Sequence, residues 1–191
     1  LPLAGFYHPD WPRVQADIAS LDRLPGTPDA ATVAIAVNVA TLTSDDTGWL
    51  DRMIRSLEQR GLRAYAFYGP RQQKDLFFRM THANGADGSA RRKVDMIVNA
   101  ALVFNPNDRK AELERIGVPV LQTLPAGAMD ADQWARSSEG LATTDIAYYY
   151  SPSELAGMTD AMLVSARDAA TGSLQPLPAQ IDAVADKAAA L

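Results

Sequence analysis

Short apolar segments alternate with amphipathic helical patterns through the first two thirds of the chain, and this alternation constrains the fold most. Residues 32–37 are uncharged and rich in β-branched side chains, as expected of a strand buried on both faces. Apolar residues at helical spacing follow them: Leu50, Met53, Ile54 and Leu57. The same order recurs twice more, which predicts a mostly parallel sheet with helices on both faces.

The predicted elements divide the chain into three parts. An irregular N-terminal extension, 1–31, precedes a flavodoxin- or Rossmann-like α/β domain, 32–172, and a linker with a C-terminal helix, 173–191. Inside the α/β domain, strands are expected over 32–37, 62–68, 94–100 and 118–121, with further strands at 146–150 and 162–165. Helices are expected from a cap at Asp45 or Asp46 to Gly61 and over 72–80, 108–116, 130–138 and 181–191, with a loop at 81–90.

Composition excludes several classes of protein. The 191 residues carry a net charge of −5 and no cysteine, so we expect no nucleic-acid partner, disulfide framework or cysteine nucleophile. We expect no transmembrane segment, because the sequence contains no apolar run near the roughly 20 residues that span a bilayer. Without a visible signal peptide or an initiator Met, the chain is interpreted as a cytoplasmic fragment of a longer protein.

The familiar catalytic and metal-binding motifs do not occur. His8 and His82 have no second histidine at helical spacing, so the pattern does not support a zinc site. The segment 85–89 lacks the ending of a phosphate-binding loop. His8 precedes Pro9, where the chain is extended. We favour a structural hydrogen-bonding role for it, with a ligand-facing role as the alternative.

A ligand crevice is predicted where the strands end, because open parallel sheets bind ligands at their carboxyl edge. Four loops should meet there: 38–46, 68–71, 99–105 and 122–125. For Asp45 and Asp46, helix capping is the favoured interpretation. These residues alone name no substrate.

Several segments, taken in order, resemble the large subunits of cobaltochelatase and magnesium chelatase. The entry segment Gly5-Phe6-Tyr7-His8-Pro9 is similar to the family's G-x-Y-H-P. The helix 51–61 ends in a form of its L-E-x-R-G, the strand 94–99 matches V-D-x-x-x-N, and 116–121 matches L-G-V-P-V-L. Gln133-Trp134 through Gly140-Leu141 and the segment 153–157 extend the resemblance.

The resemblance implies that the larger protein inserts a cobalt or magnesium ion into a tetrapyrrole, while separate ATPase-type subunits hydrolyse ATP. The family's H-G-T-H-G signature is absent, so we expect no complete catalytic apparatus and no catalytic residue here. A haem-, hydrogenobyrinate- or protoporphyrin-type tetrapyrrole is the implied ligand. Its candidate contacts are His8, Asn38, Thr41, Asp45, Asn99 and Phe104, with His8 a conceivable axial ligand of haem.

Departures from the family pattern leave alternatives open. Val39, Thr41 and Asp45 stand where the family has an arginine, a histidine and a glycine, and Ala156 replaces an aspartate. These changes suggest a divergent branch. It could be a structural or subunit-docking domain without its own ligand, or part of a haem-binding relative that removes the metal.

Overall fold

The computed structural model describes residues 1–44, 46–70, 72–85, 87–127, 129–138 and 141–191. In these residues seven strands form one sheet, and a separate two-stranded hairpin lies after the third helix. The sheet strands are β1 (Gly5–Tyr7), β2 (Thr32–Ala36), β3 (Arg63–Tyr68), β6 (Met96–Asn99), β7 (Val120–Ala126), β8 (Thr159–Arg167) and β9 (Leu174–Pro176). The hairpin strands are β4 (His82–Asn84) and β5 (Ala90–Arg92).

Helices connect the strands, and a helix is the last element of the chain. They are α1 (Val39–Thr43), α2 (Gly48–Glu58), α3 (Leu76–Thr81), α4 (Pro106–Ile116), α5 (Ala131–Arg136), α6 (Thr143–Asp145), α7 (Ser151–Leu155) and α8 (Pro178–Ala190). A 3₁₀ helix spans Ile18–Arg23, and a π-helical stretch, Ile146–Tyr150, joins α6 to α7.

The sheet has the predicted α/β topology. Its order is β1-β3-β2-β6-β7-β8-β9, in which β3, β2, β6, β7 and β8 are parallel. Numbered along the chain, these five follow the order 2-1-3-4-5 of flavodoxin-like folds, and the direction of winding reverses between β2 and β6. The edge strands β1 and β9 are antiparallel to their neighbours.

One face of the sheet is covered by α2 and α8. Leu50 and Ile54 of α2 and Ile181 and Val184 of α8 are fully buried in the same cluster. Polar contacts join the two helices at the rim: Asp182 accepts a hydrogen bond of 2.6 Å from Ser56, and Arg60 lies 2.6 Å from Asp186. The terminal helix thus packs on the sheet of this chain.

The other face is covered by α3 and α4. Phe77 and Met80 pack there with Leu113 and Ile116, against the aromatic residues of β3. The hydroxyl of Tyr65 donates a 2.8 Å hydrogen bond to the Met80 carbonyl oxygen, which connects β3 to α3.

Residues 146–150 were predicted as a strand and are helical. The aromatic run Tyr148–Tyr150 favours a strand by propensity, but such propensity depends strongly on packing. Here α6 and α7 continue into it from both sides, so that helical backbone extends from Thr143 to Leu155. The expected strand at 162–165 is confirmed within β8.

Two further predictions differ from the structure. The segment 81–90, predicted as a loop, contains the first strand of the hairpin and the start of the second. The predicted cap of α2 is wrong for Asp46, because Thr47 stands at that position and Asp46 instead accepts a 3.3 Å hydrogen bond from the Leu174 amide. Asp45 lies outside the described residues. The boundaries after 31 and 172 remain a prediction.

Candidate functional site

A crevice of about 180 Å³ opens at the carboxyl edge of the sheet, beside the reversal between β2 and β6. One side is formed by the loop after β2, by α1 and by the first turn of α2. The loop after β6 and the ends of β7 and β8 form the other side, and the start of β9 completes it. The position agrees with the general rule for ligand sites in open α/β sheets.

The crevice walls are largely apolar. Trp49, Leu102 and Val164 line it, together with Pro125 and Leu174. The indole of Trp49 is almost fully buried because it stands in the first turn of α2 and packs into the core between helix and sheet. An apolar wall with a few placed polar groups is typical of a small-molecule site.

Five polar side chains interrupt these walls: Asn38, Thr41, Ser44, Asp46 and Ser165. The Oδ1 atom of Asn38 accepts a 3.3 Å hydrogen bond from the Leu102 amide, which holds the loops after β2 and β6 together. The Ser44 hydroxyl donates to the Ala40 carbonyl oxygen at 2.6 Å and therefore faces a ligand only as an acceptor.

Two buried polar atoms of the crevice residues lack a hydrogen-bond partner among the described residues. They are Nε1 of Trp49 and Oγ of Ser165. Buried polar groups are nearly always paired, so an unpaired one calls for a water or a ligand. Both atoms belong to side chains that line the crevice, but each has less than 1 Å² of accessible surface, so neither faces its open space.

The structure brings two of the predicted contacts together. Asn38 and Thr41 line the crevice, whereas Asp45 lies outside the described residues. Asn99 is fully buried behind it: its side-chain amide donates to Ala101 O at 2.9 Å and to Gln122 Oε1 at 2.8 Å. These bonds fasten the end of β6 to β7 and give Asn99 a structural role.

Phe104 lies outside the crevice. It borders a small depression of about 20 Å³ between the segment before α3 and the start of α4, where Arg109 and Glu112 also lie. The loop after β6 is long enough to turn away from the crevice after Leu102, which carries Phe104 to the other face of the sheet.

His8 also lies away from the crevice. Its side chain is fully buried, with Nε2 at 2.9 Å from Oε1 of Glu58 near the end of α2. Its Nδ1 accepts a 3.1 Å hydrogen bond from the Asp10 amide, so in the neutral ring the proton sits on Nε2 and is donated to Glu58. This geometry supports the favoured structural role and separates His8 from the other predicted contacts.

The loop at 68–71 was expected at the crevice, and none of its described residues lines it. The strand order explains this, since β3 lies one strand beyond β2 on the side away from β6. Sequence reasoning missed Trp49, Tyr149 and Ser165 instead. Of these three, only Trp49 could have been predicted from a sequence pattern, because it is an aromatic residue in the first helical turn after a strand-end loop.

Asp145 is a buried carboxylate near the same edge. It is 5% exposed, accepts a hydrogen bond from the Gly127 backbone, and has no partner for Oδ2 among the described residues. Burial raises the pKa of this carboxyl, and the Gly127 hydrogen bond opposes the shift. Its helix also carries Tyr149, one turn further on, to the crevice wall.

The described residues contain no group of three or more His, Cys, Asp or Glu side chains placed to hold a metal ion. They also contain no helix long and apolar enough to cross a membrane.

Five parallel strands in the order 2-1-3-4-5, with an apolar crevice at the reversal, define a flavodoxin-like α/β domain with a strand-end site. A model of the family described as CobN/Magnesium Chelatase matches residues 1–191. The chain belongs to this family and is a chelatase-family domain. The predicted relation to the large subunits of these chelatases is confirmed.

Among solved structures, the fold is similar to the catalytic subunit of cobaltochelatase from Mycobacterium tuberculosis. The TM-score is 0.71 at 21% sequence identity, and the match covers 97% of this chain and 15% of that one. The chain thus spans less than a sixth of the length of this relative. A comparison with curated protein sequences finds no match.

Proposed function

We propose that this domain forms part of the wall of a tetrapyrrole site in a chelatase-type large subunit. The observation that carries the proposal is the apolar crevice at the reversal between β2 and β6, in a chain of the CobN/magnesium chelatase family. Asn38, Thr41 and the indole of Trp49 are its proposed ligand contacts. Metal insertion, with the ion as substrate and ATP hydrolysed by partner subunits, belongs to the complete assembly.

The size of the crevice limits what the domain does alone. Sites that enclose a drug-sized ligand measure roughly 300–1,000 Å³, and this crevice measures about 180 Å³. A tetrapyrrole ring is therefore too large to be enclosed here, and only one edge or side arm of it enters. Other parts of the larger protein supply the remaining walls.

Titration of the purified chain tests the proposal. Haem and metal-free mesoporphyrin are added while Soret absorbance and tryptophan fluorescence are followed, and we expect saturable one-to-one binding in the micromolar range. Ala40→Phe places a ring at the exposed lip of the crevice and should weaken binding at least about tenfold, a loss near 1.4 kcal/mol.

The matched control is Ala111→Phe, the same change at an exposed position of α4 on the other face of the sheet. It should leave the affinity unchanged. Binding that is no stronger than to a carrier protein, or that weakens equally in both variants, would contradict the proposal.

A docking role is the second candidate, and one observation favours it. Large apolar side chains are exposed near the carboxyl edge, on α1, after β6 and on the helix after β7: Val39, Phe104, Ile146 and Tyr148. A second proposal is that another part of the larger subunit covers these side chains, as it would a contiguous apolar patch. If tetrapyrroles do not bind, this edge is the place to seek contacts with the rest of the larger subunit.

A further inference from the structure

We propose that a cluster of cations and aromatic rings beside the hairpin docks an acidic protein segment through its carboxylates. The cluster consists of Phe78 of α3, His82 of β4, Arg92 of β5 and Arg115 in the last turn of α4. It lies on the face of the sheet covered by α3 and α4, and none of its residues lines the crevice. The proposal therefore does not depend on the proposed function.

The ring of Phe78 organises the cluster. The imidazole of His82 is stacked on it, with the ring centroids 4.0 Å apart and the planes at 10° to each other. The guanidinium carbon of Arg115 lies 4.1 Å from the centroid of the same ring. His82 Nδ1 is also 3.2 Å from the Phe78 carbonyl oxygen, to which the neutral imidazole donates. These contacts order Arg115 and His82 in advance, which lowers the entropic cost of binding.

Arg92 brings a second guanidinium to the cluster. It stands directly opposite His82 in the hairpin, and directly opposed residues place their side chains on the same face. Its Nη1 is 3.5 Å from the carbonyl oxygen of Gly117, the C-cap of α4. Within the described part of the chain Arg92 has no ion-pair partner, and Arg115 pairs there only with Asp75. Guanidinium N–H groups thus remain available to carboxylates, which they bind well.

The local charge favours an anion. Burial lowers the pKa of His82, and the nearby Arg92 and Arg115 lower it further. The two arginines are therefore close enough to disfavour a third cation, and a carboxylate placed among these groups relieves that repulsion.

The remainder of the chain determines which kind of anion fits. The net charge of −5 repels a long polyanion such as a nucleic acid. A short acidic segment interacts mainly with the nearby cations, because charges are screened over about 8 Å at physiological salt. All three residues of β5 are exposed, so the surface is open. An open surface suits a chain laid across it better than a small ion that has to be enclosed.

An NMR titration of the intact chain tests the proposal. The probe is a peptide of about eight residues with glutamate at every second position, which places the glutamates of an extended chain on one face. At about 150 mM salt we expect saturable binding with a Kd of about 1 mM or below. The same peptide with glutamine in place of glutamate should bind at least about fivefold more weakly. Bound carboxylates should also raise the pKa of His82, while the fully buried His8 is unaffected.

Arg92→Gln should weaken the binding of the glutamate peptide about threefold. Arg91→Gln is the matched control, because it removes the same charge from the neighbouring position of β5, whose side chain lies on the other face of the hairpin. It should leave the affinity near the native value. Equal weakening by the two variants, or equal binding of the two peptides, would overturn the proposal. So would competition by free succinate that is as strong as that of the peptide at the same carboxylate concentration.

Discussion

Asp145 shows how one residue couples the fold to pH. It is nearly inaccessible, and burial raises the pKa of its carboxyl above the ordinary value of 3.8. Between 3.8 and the raised value, the folded chain holds a proton that the unfolded chain has released. Stability therefore falls as the pH rises through this window and stays lower above it.

Asp145→Asn should remove this loss. The amide keeps an oxygen for the Gly127 hydrogen bond and has no charge to bury. We expect the variant to be more stable than the native chain at pH 7 and nearly equal to it below pH 3.8, measured by urea unfolding. Asp132→Asn, at an exposed position of α5, should change the stability by less than about 0.5 kcal/mol. A neutral-pH stability at or below the native value would contradict the assignment.

The side-chain roles at strand ends were only partly predictable. The strand-end rule led to Asn38 and Thr41, which line the crevice. The same rule led to Asn99, whose amide is taken by Gln122, its direct neighbour on β7. Cross-strand register is set by the packed sheet, so the sequence of β6 does not show which polar side chain stands opposite.

Among the elements, α3 depends on its neighbour for its start. Asp75 stands at its N-cap position with a left-handed backbone and makes no side-chain capping bond within the described residues. Glu112 of α4 replaces that cap by accepting a 2.8 Å hydrogen bond from the Phe78 amide. The same carboxylate pairs with Arg109, which lies over the ring of Phe77.

Glu112→Leu should destabilise the chain by about 3–5 kcal/mol, because it leaves the largely buried Arg109 charge unpaired and the start of α3 uncapped. Adding Arg109→Leu removes the stranded charge, so the double variant should recover most of the loss. Guanidinium unfolding of both single variants and the double variant gives the coupling energy. Additive losses would show that the two residues act independently.

The elements differ in how clearly their sequence patterns predict them. The apolar face of α2 was predictable because Leu50, Met53, Ile54 and Leu57 repeat at helical spacing. The helical conformation of residues 146–150 was not predictable, since aromatic residues favour a strand by propensity and only their packing makes them helical here. The hairpin of β4 and β5 has three residues in each strand, too few to show an alternation.

At the scale of the molecule, the parallel core was predictable and its edges were not. Buried strands alternating with helices allow few topologies once crossovers are right-handed. The sequences of the edge strands β1 and β9 do not show this alternation of buried strands and helices. Only their pairing with β3 and β8 defines them as strands. The place of α8 on the face shared with α2 likewise follows from tertiary contacts.

The terminal helix should contribute strongly to stability. Ile181→Ala removes a fully buried side chain from the interface between α8, α2 and the sheet, and should cost about 2–5 kcal/mol in denaturant unfolding. Leu155→Ala is the matched control, since Leu155 lies at the end of α7 and is 65% exposed. If Ile181→Ala lowers the free energy of unfolding as little as Leu155→Ala does, α8 is not part of the cooperative unit.

The short edge strands have a consequence for how the domain meets its surroundings. Open strand edges invite intermolecular strand addition, and very short strands or a proline in them discourage it. Both edges of this sheet end in strands of three residues, and Pro176 removes a backbone donor from one of them. Contacts with the rest of a large subunit are therefore expected through helices and loops rather than through a sheet continued from one domain into the next.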